Sequence, residues 1–183
     1  MTQCAAAASP TQTWTAIVAR ERGLNLTCFG FGGQCHIEPM VARLIRDLPA
    51  DYISLCLGIN VYGARSLTAR TFRPAVLGFI AIVRERHPDI PLVVISPIVS
   101  APRETEPNQA GLSLALMRQE IAEAVEALRA HGDEALHYVD GLRIFGPDLQ
   151  HLQPDQVHPD AEGYRVLARN FLREVAVPHF NIG

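Results

Sequence analysis

The feature that most constrains this chain is a regular alternation of short apolar runs with longer stretches of helical periodicity. Leu24–Phe29, Tyr52–Leu57, Pro91–Ile95 and Leu136–Val139 are apolar without a polar face. Runs of this length and composition read as strands buried on both faces, as in a parallel sheet covered by two helical layers. Between them lie helical periods. Trp14 to Glu21 is stopped by Gly23, and Pro39–Leu48 carries the stripe Met40, Val41, Leu44, Ile45 and Leu48. Thr71–Arg86 is expected to hold Pro74 in its first turn, Leu112–His131 ends at Gly132, and Asp160–Val175 opens on a capping aspartate. Helix and strand therefore alternate from a helix at the start to a helix at the end, which predicts a doubly wound α/β sheet. In such sheets the site lies beyond the carboxyl ends of the strands.

The remaining bounds come from composition. A chain of 183 residues buries enough surface to need no disulfide or metal staple, and it reads as one domain over residues 1–183. A net charge of −3, with signs mixed along the helices, argues against a nucleic-acid or membrane partner. Cys28 and Cys56 sit within apolar runs and read as small hydrophobes, and the four cysteines show no disulfide framework. Cys28, Cys35 and His36 lack a second ligand pair, so no metal is expected. The longest apolar stretch, Ala75–Val83, is too short to span a bilayer. Met1–Cys4 has no basic region of the kind that opens a secretion signal. The expectation is a cytoplasmic protein, with a signal upstream of residue 1 left open.

The chemistry-bearing residues fall in the loops after the strands. Gly30-Phe31-Gly32-Gly33 lets bare backbone N–H groups approach a ligand, without a full phosphate-binding fingerprint. A flavin or nucleotide site on that loop is the reading this leaves open. Asn60, just past Tyr52–Leu57, can offer its amide N–H to a developing oxyanion or can close a turn. Asp155 and His158, three apart, suit a carboxylate that fixes an imidazole tautomer and leaves the other nitrogen as a general base. Pro159 keeps His158 in extended backbone, which a simple capping turn before a helix would also do.

Taken together these blocks resemble the SGNH hydrolase family in its GDSL-like branch. Leu26–Gly33 resembles the block that ends in an oxyanion glycine, Gly58-Ile59-Asn60 the block with an oxyanion amide, and Asp155-Gln156-Val157-His158 the block with the base and its orienter. The resemblance runs from about Thr2 to Phe171 and takes in Ser96-Pro97-Ile98 and Asp140-Gly141-Leu142. It implies a three-layer α/β/α, flavodoxin-like fold with a parallel sheet. It also implies hydrolysis of a carboxylic ester, an acyl ester or O-acetyl group, without metal or organic cofactor. His158 would be the base, Asp155 its orienter, and Gly33 and Asn60 oxyanion donors. His36 and Arg103 are assigned as substrate-binding residues.

Two departures accompany the resemblance. Val61 stands where the family usually has Asp. Met1-Thr2-Gln3 resembles the continuation of the turn that carries the family's nucleophilic serine. That register places the serine immediately before residue 1 and its strand outside the chain. Ser9 and Thr2 are poor substitutes. The chain is thus expected to be N-terminally incomplete. It should fill the place of the first strand with another segment or chain, such as a second copy, or else be unstable alone. The alternative to the enzyme is an inactive remnant that binds an acyl ligand or a partner.

Overall fold

A computed structural model describes Cys4 and residues 6–182. Three strands form one parallel sheet in the order β1 (Ile53–Cys56), β2 (Leu92–Ile95) and β3 (Leu136–Val139). Ile53 pairs with Leu92 and Leu92 with Leu136, and the register runs unbroken to Cys56, Ile95 and Val139. Successive side chains of a strand point to opposite faces, and the packing follows that rule. Leu92, Val94 and Leu136 join one core with α2 (Pro39–Asp47), α4 (Ala69–Arg84) and α5 (Leu114–Ala130). Val93, Ile95 and Val139 join the other with α1 (Trp14–Arg22) and α7 (Ala161–Phe171). The result is the three-layer α/β/α arrangement.

The helix boundaries have local causes. Gly23, at φ 62°, closes α1 in the left-handed conformation. Thr68 and Thr71 form a reciprocal cap that starts α4 earlier than the expected Thr71. Pro74 therefore lies in the second turn of α4, not the first. Ser113 caps α5, accepting from Leu116 N–H at 3.2 Å, so that helix begins past Leu112. Asp160 caps α7 through Gly163 N–H at 2.8 Å. The chain then passes through a π-turn (Leu172–Ala176) into α8 (Val177–Phe180). Besides α8, two short helices were not anticipated, α3 (Ile59–Ala64) and α6 (Gly141–Ile144). Each directly follows a strand, where the chain must turn away from the sheet.

One expected element is absent. Leu24–Phe29 is not a strand. An extended segment becomes a strand only by sharing its backbone hydrogen bonds, and this run has no ladder partner among the described residues. Cys28, expected inside a buried run, is accordingly exposed. Between Leu24–Phe31 and β1 lies a cavity of about 770 Å³. Among the described residues β1 pairs only with β2, and its other edge faces that cavity. No helix among the described residues is long and apolar enough to cross a membrane.

Candidate active site

The loops after the first two strands and the loop before α7 gather at the cavity beside β1. Gly33, Asn60 and His158 all line it. Gly33 sits at φ 70° with nothing within 4 Å of where a Cβ would stand. Its loop thus turns on a left-handed residue with its backbone open to the cavity. Asn60 lies in the first turn of α3, whose N-cap is Gly58. Gly58 has φ 119°, and a Cβ there would meet the Pro97 ring at 2.6 Å. Only glycine permits both that backbone and that approach. The Asn60 side-chain oxygen Oδ1 accepts from Cys35 N–H at 3.2 Å. This bond ties the glycine-rich loop to α3 and leaves the amide N–H₂ of Asn60 as the available donor.

Asp155 and His158 form the expected couple. Asp155 Oδ2 lies 2.6 Å from His158 Nδ1. Its other oxygen accepts from the backbone N–H of Val157 at 3.0 Å and of His158 at 2.7 Å. Partial desolvation raises the Asp155 carboxyl. The hydrogen bonds from the imidazole and the two N–H groups outweigh it and hold the group down at about 2. The carboxylate therefore stays ionised at neutral pH and fixes the ring. Nε2 is left as the imidazole nitrogen that can accept a proton.

The other assigned residues lie elsewhere. His36 Nδ1 bonds Ser66 Oγ at 3.0 Å, and His36 does not line the cavity. Arg103 borders a separate small hollow with Tyr62, Arg65 and Asn108, and its Nη1 donates to Ser100 Oγ at 2.9 Å. Ser9 bonds Thr11 at 3.1 Å, away from the cavity wall, and Thr2 lies outside the described residues. Trp14 is buried against Phe171, with ring centroids 4.9 Å apart, and also lines the cavity. His137 and His179 stack on one another with ring centroids 4.5 Å apart. Among the described residues no group of three or more potential ligands could hold a metal ion.

Residues the sequence reading passed over also shape the site. Gln153 Nε2 donates to the carbonyls of Val99 at 3.0 Å and Val157 at 3.1 Å, bracing the His158 loop. Ser100 lines the cavity and donates to the Gln156 carbonyl at 2.6 Å. Glu104 is clasped by Arg118. The only sequence signal for Gln153 was its place two residues before the Asp–His pair.

The chain belongs to the GDSL-like lipase/acylhydrolase family, whose profile matches residues 1–166. No curated protein matches it. Among solved structures it is similar to a salicylyl-acyltransferase from a tetracycline biosynthetic pathway, at 39% identity and a TM-score of 0.86, covering 94% of this chain and 51% of that one. It is also similar to a candidate GDSL-like lipase from Bacteroides ovatus, at 22% identity and a TM-score of 0.81, covering 97% and 50%. A third is an acetyl-xylooligosaccharide esterase from Geobacillus, at 20% identity and a TM-score of 0.66, covering 94% and 89%. The chain thus spans about half the length of the first two. The second and third likenesses, at such identities, speak to the fold alone.

Proposed function

We propose that this domain carries out acyl transfer on a small carboxylic ester, with His158 as general base and Asp155 as its orienter. The observation that carries this reading is the 2.6 Å Asp155–His158 contact on a ring that lines the same cavity as Asn60 and Gly33. In the first step a serine hydroxyl adds to the ester carbonyl while His158 Nε2 takes its proton. The Asn60 amide and the Gly33 N–H stabilise the oxyanion, and the imidazolium returns the proton to the departing alcohol. Water then repeats the sequence in reverse. A second alcohol in place of water gives transfer instead of hydrolysis, the chemistry named for the salicylyl-acyltransferase.

The serine of this step is the part of the reading that the described residues do not supply. Ser100, on the cavity wall, spends its proton on the Gln156 carbonyl, and no serine hydroxyl bonds His158 among the described residues. The same observation favours the second reading, a cavity that binds an acyl ligand without turning it over.

Hydrolysis of p-nitrophenyl acetate separates the two. The enzyme reading expects measurable turnover that falls about a thousandfold or more in His158→Ala. In Asn60→Ala it expects a fall of about a hundredfold to a thousandfold in kcat, the scale of one lost oxyanion donor. Turnover indifferent to His158→Ala removes the site assignment. An acyl ligand that binds without turnover selects the second reading.

A further inference from the structure

Ser100 joins three segments at one point. It is 1% exposed. Its hydroxyl donates to the Gln156 carbonyl at 2.6 Å and accepts from Arg103 Nη1 at 2.9 Å. Its own N–H donates to Glu104 Oε1 at 2.8 Å. Arg118, buried on α5, grips both oxygens of Glu104 at 2.7 and 3.0 Å. Arg118 also donates to the carbonyls of Pro97 at 2.8 Å and Ile98 at 3.3 Å. The loop from Pro97 to Glu104 is thereby fixed to α5 along its length. One end of it, the Pro97 ring, presses on Gly58 at the root of the Asn60 helix. The other end, Ser100, reaches Gln156.

Gln156 lies between Asp155 and His158 and has φ 63°. A non-glycine residue in that region is strained and persists only where its surroundings impose it. The conformation turns the chain so that the Asp155 carboxylate faces both the backbone N–H and the ring of His158. Gln156 is itself exposed. Packing therefore does not impose the turn, which is held by hydrogen bonds. The bond from Ser100 is short and made by a buried hydroxyl.

We infer that Ser100, backed by the Arg118–Glu104 clasp, is a positioning residue that holds the strained Gln156 turn and thereby sets the Asp155–His158 couple against the Asn60 side of the cavity. Its consequence for turnover rests on the hydrolase reading, whereas its consequence for the His158 ring does not. The device differs from ordinary core packing because it acts through one backbone conformation. Replacing Gln156 by glycine, which adopts φ > 0 without strain, should make the Ser100 hydroxyl dispensable.

The test uses the full chain and two readouts. One is the low-field imidazole N–H proton of His158 by NMR, which reports its bond to Asp155. The other is kcat and KM for p-nitrophenyl acetate. Ser100→Ala is expected to broaden the proton signal and to lower kcat by about tenfold to a hundredfold, with KM within about twofold, as for a misplaced catalytic group. Ser100→Ala combined with Gln156→Gly should recover both. Gln156→Pro, an exposed change that forbids φ > 0, should abolish the signal even if Ser100→Ala fails to fold. An unchanged signal in Ser100→Ala, no recovery in the double variant, or no signal in the parent chain overturns the inference. A parent chain that shows the signal yet hydrolyses nothing removes the hydrolase reading, and the signal series then decides the positioning role alone.

Discussion

The two halves of the sheet are finished to different degrees. Around β2 and β3 every position of Leu92–Ile95 is buried, and both faces are covered by helices that lock onto one another. Arg84 shows the quality of that half. It forks onto Asp133 at 2.8 and 2.9 Å and also donates to the carbonyls of His87 and Ile90 at 2.8 and 2.7 Å. The half before and around β1 is otherwise. Among the described residues seven large hydrophobic side chains are left exposed, and six of them, Leu26, Phe31, Met40, Leu44, Leu48 and Tyr52, fall within residues 26–52. The cavity lies in the same half, and the candidate site straddles the seam. His158 is braced from the packed side through Gln153 and Ser100, and Gly33 belongs to the open side. Asn60 bridges them through Cys35. The difference teaches that the base and its orienter are preorganised by a completed core, whereas the glycine loop is tied down through its Cys35 end, by the N–H bond to Asn60 and a longer Sγ contact to the Cys56 carbonyl at 3.7 Å.

The comparison breaks most visibly in core truncations. Phe72, fully buried between α4 and its neighbours, should cost about 3–5 kcal/mol as Phe72→Ala, the range for a large aromatic lost from a packed core. Leu44→Ala, at a residue 44% exposed, should cost no more than about 0.5 kcal/mol. Urea denaturation of the two variants at one pH measures both. A Leu44→Ala penalty close to that of Phe72→Ala would mean that the open half is in fact covered in solution, and the contrast drawn above would go.

A smaller effect sharpens the same contrast at the helix ends. The Ser113 hydroxyl caps α5 within the packed half, so Ser113→Ala should lower stability by about 1 kcal/mol. In the open half α2 has no side-chain cap at Glu38, and Glu38→Ala should change unfolding free energy by less than about 0.5 kcal/mol. Equal losses in urea would show that α2 is anchored as firmly as α5.

How much of this could be read from residues follows the same division. The segments Tyr52–Leu57, Pro91–Ile95 and Leu136–Val139 each contain a strand, because a run apolar on both faces has a buried sheet position to occupy. Leu24–Phe29 has the same local pattern but no strand partner among the described residues. Pairing is a property of the neighbour and leaves no trace in the run itself. At the site, Asp155 and His158 were legible because a spacing of three is a local constraint. The place of Asn60 followed from the alternation of strands and helices, which sends loops after strands to one sheet edge, whereas Gly33 reaches the same cavity from a segment that is not a strand. Ser100, Glu104 and Arg118 were not legible. The Arg118–Glu104 and Ser100–Gln156 bonds span 14 and 56 residues, and a buried arginine on an amphipathic helix looks like a solvated one until its carbonyl partners are known. His36 and Arg103 were placed near the site because they adjoin its loops in sequence, but adjacency along a turning loop does not fix which way a side chain faces.

The smallest effect bears on the His158 loop itself. Asp155 is held down at about 2 in the folded chain, against about 3.9 for an aspartate in an unfolded one. A depressed carboxylate contributes stability that is fully present above the unfolded value and is lost as pH falls towards the folded one. Asp155→Asn keeps an oxygen for the two backbone N–H groups and removes the charge. The stability gap between the parent and this variant should therefore be open at pH 5 and should close between about pH 4 and about pH 2. Because the Asp155 side chain is 56% exposed, solvent screens the pair, and the gap should stay below about 1 kcal/mol. Urea titrations at pH 5, 4, 3 and 2.5 measure it. A gap that persists unchanged at pH 2.5 would show that the His158 loop owes its shape to the Gln153 and Ser100 braces from the packed half and nothing measurable to the Asp155 charge.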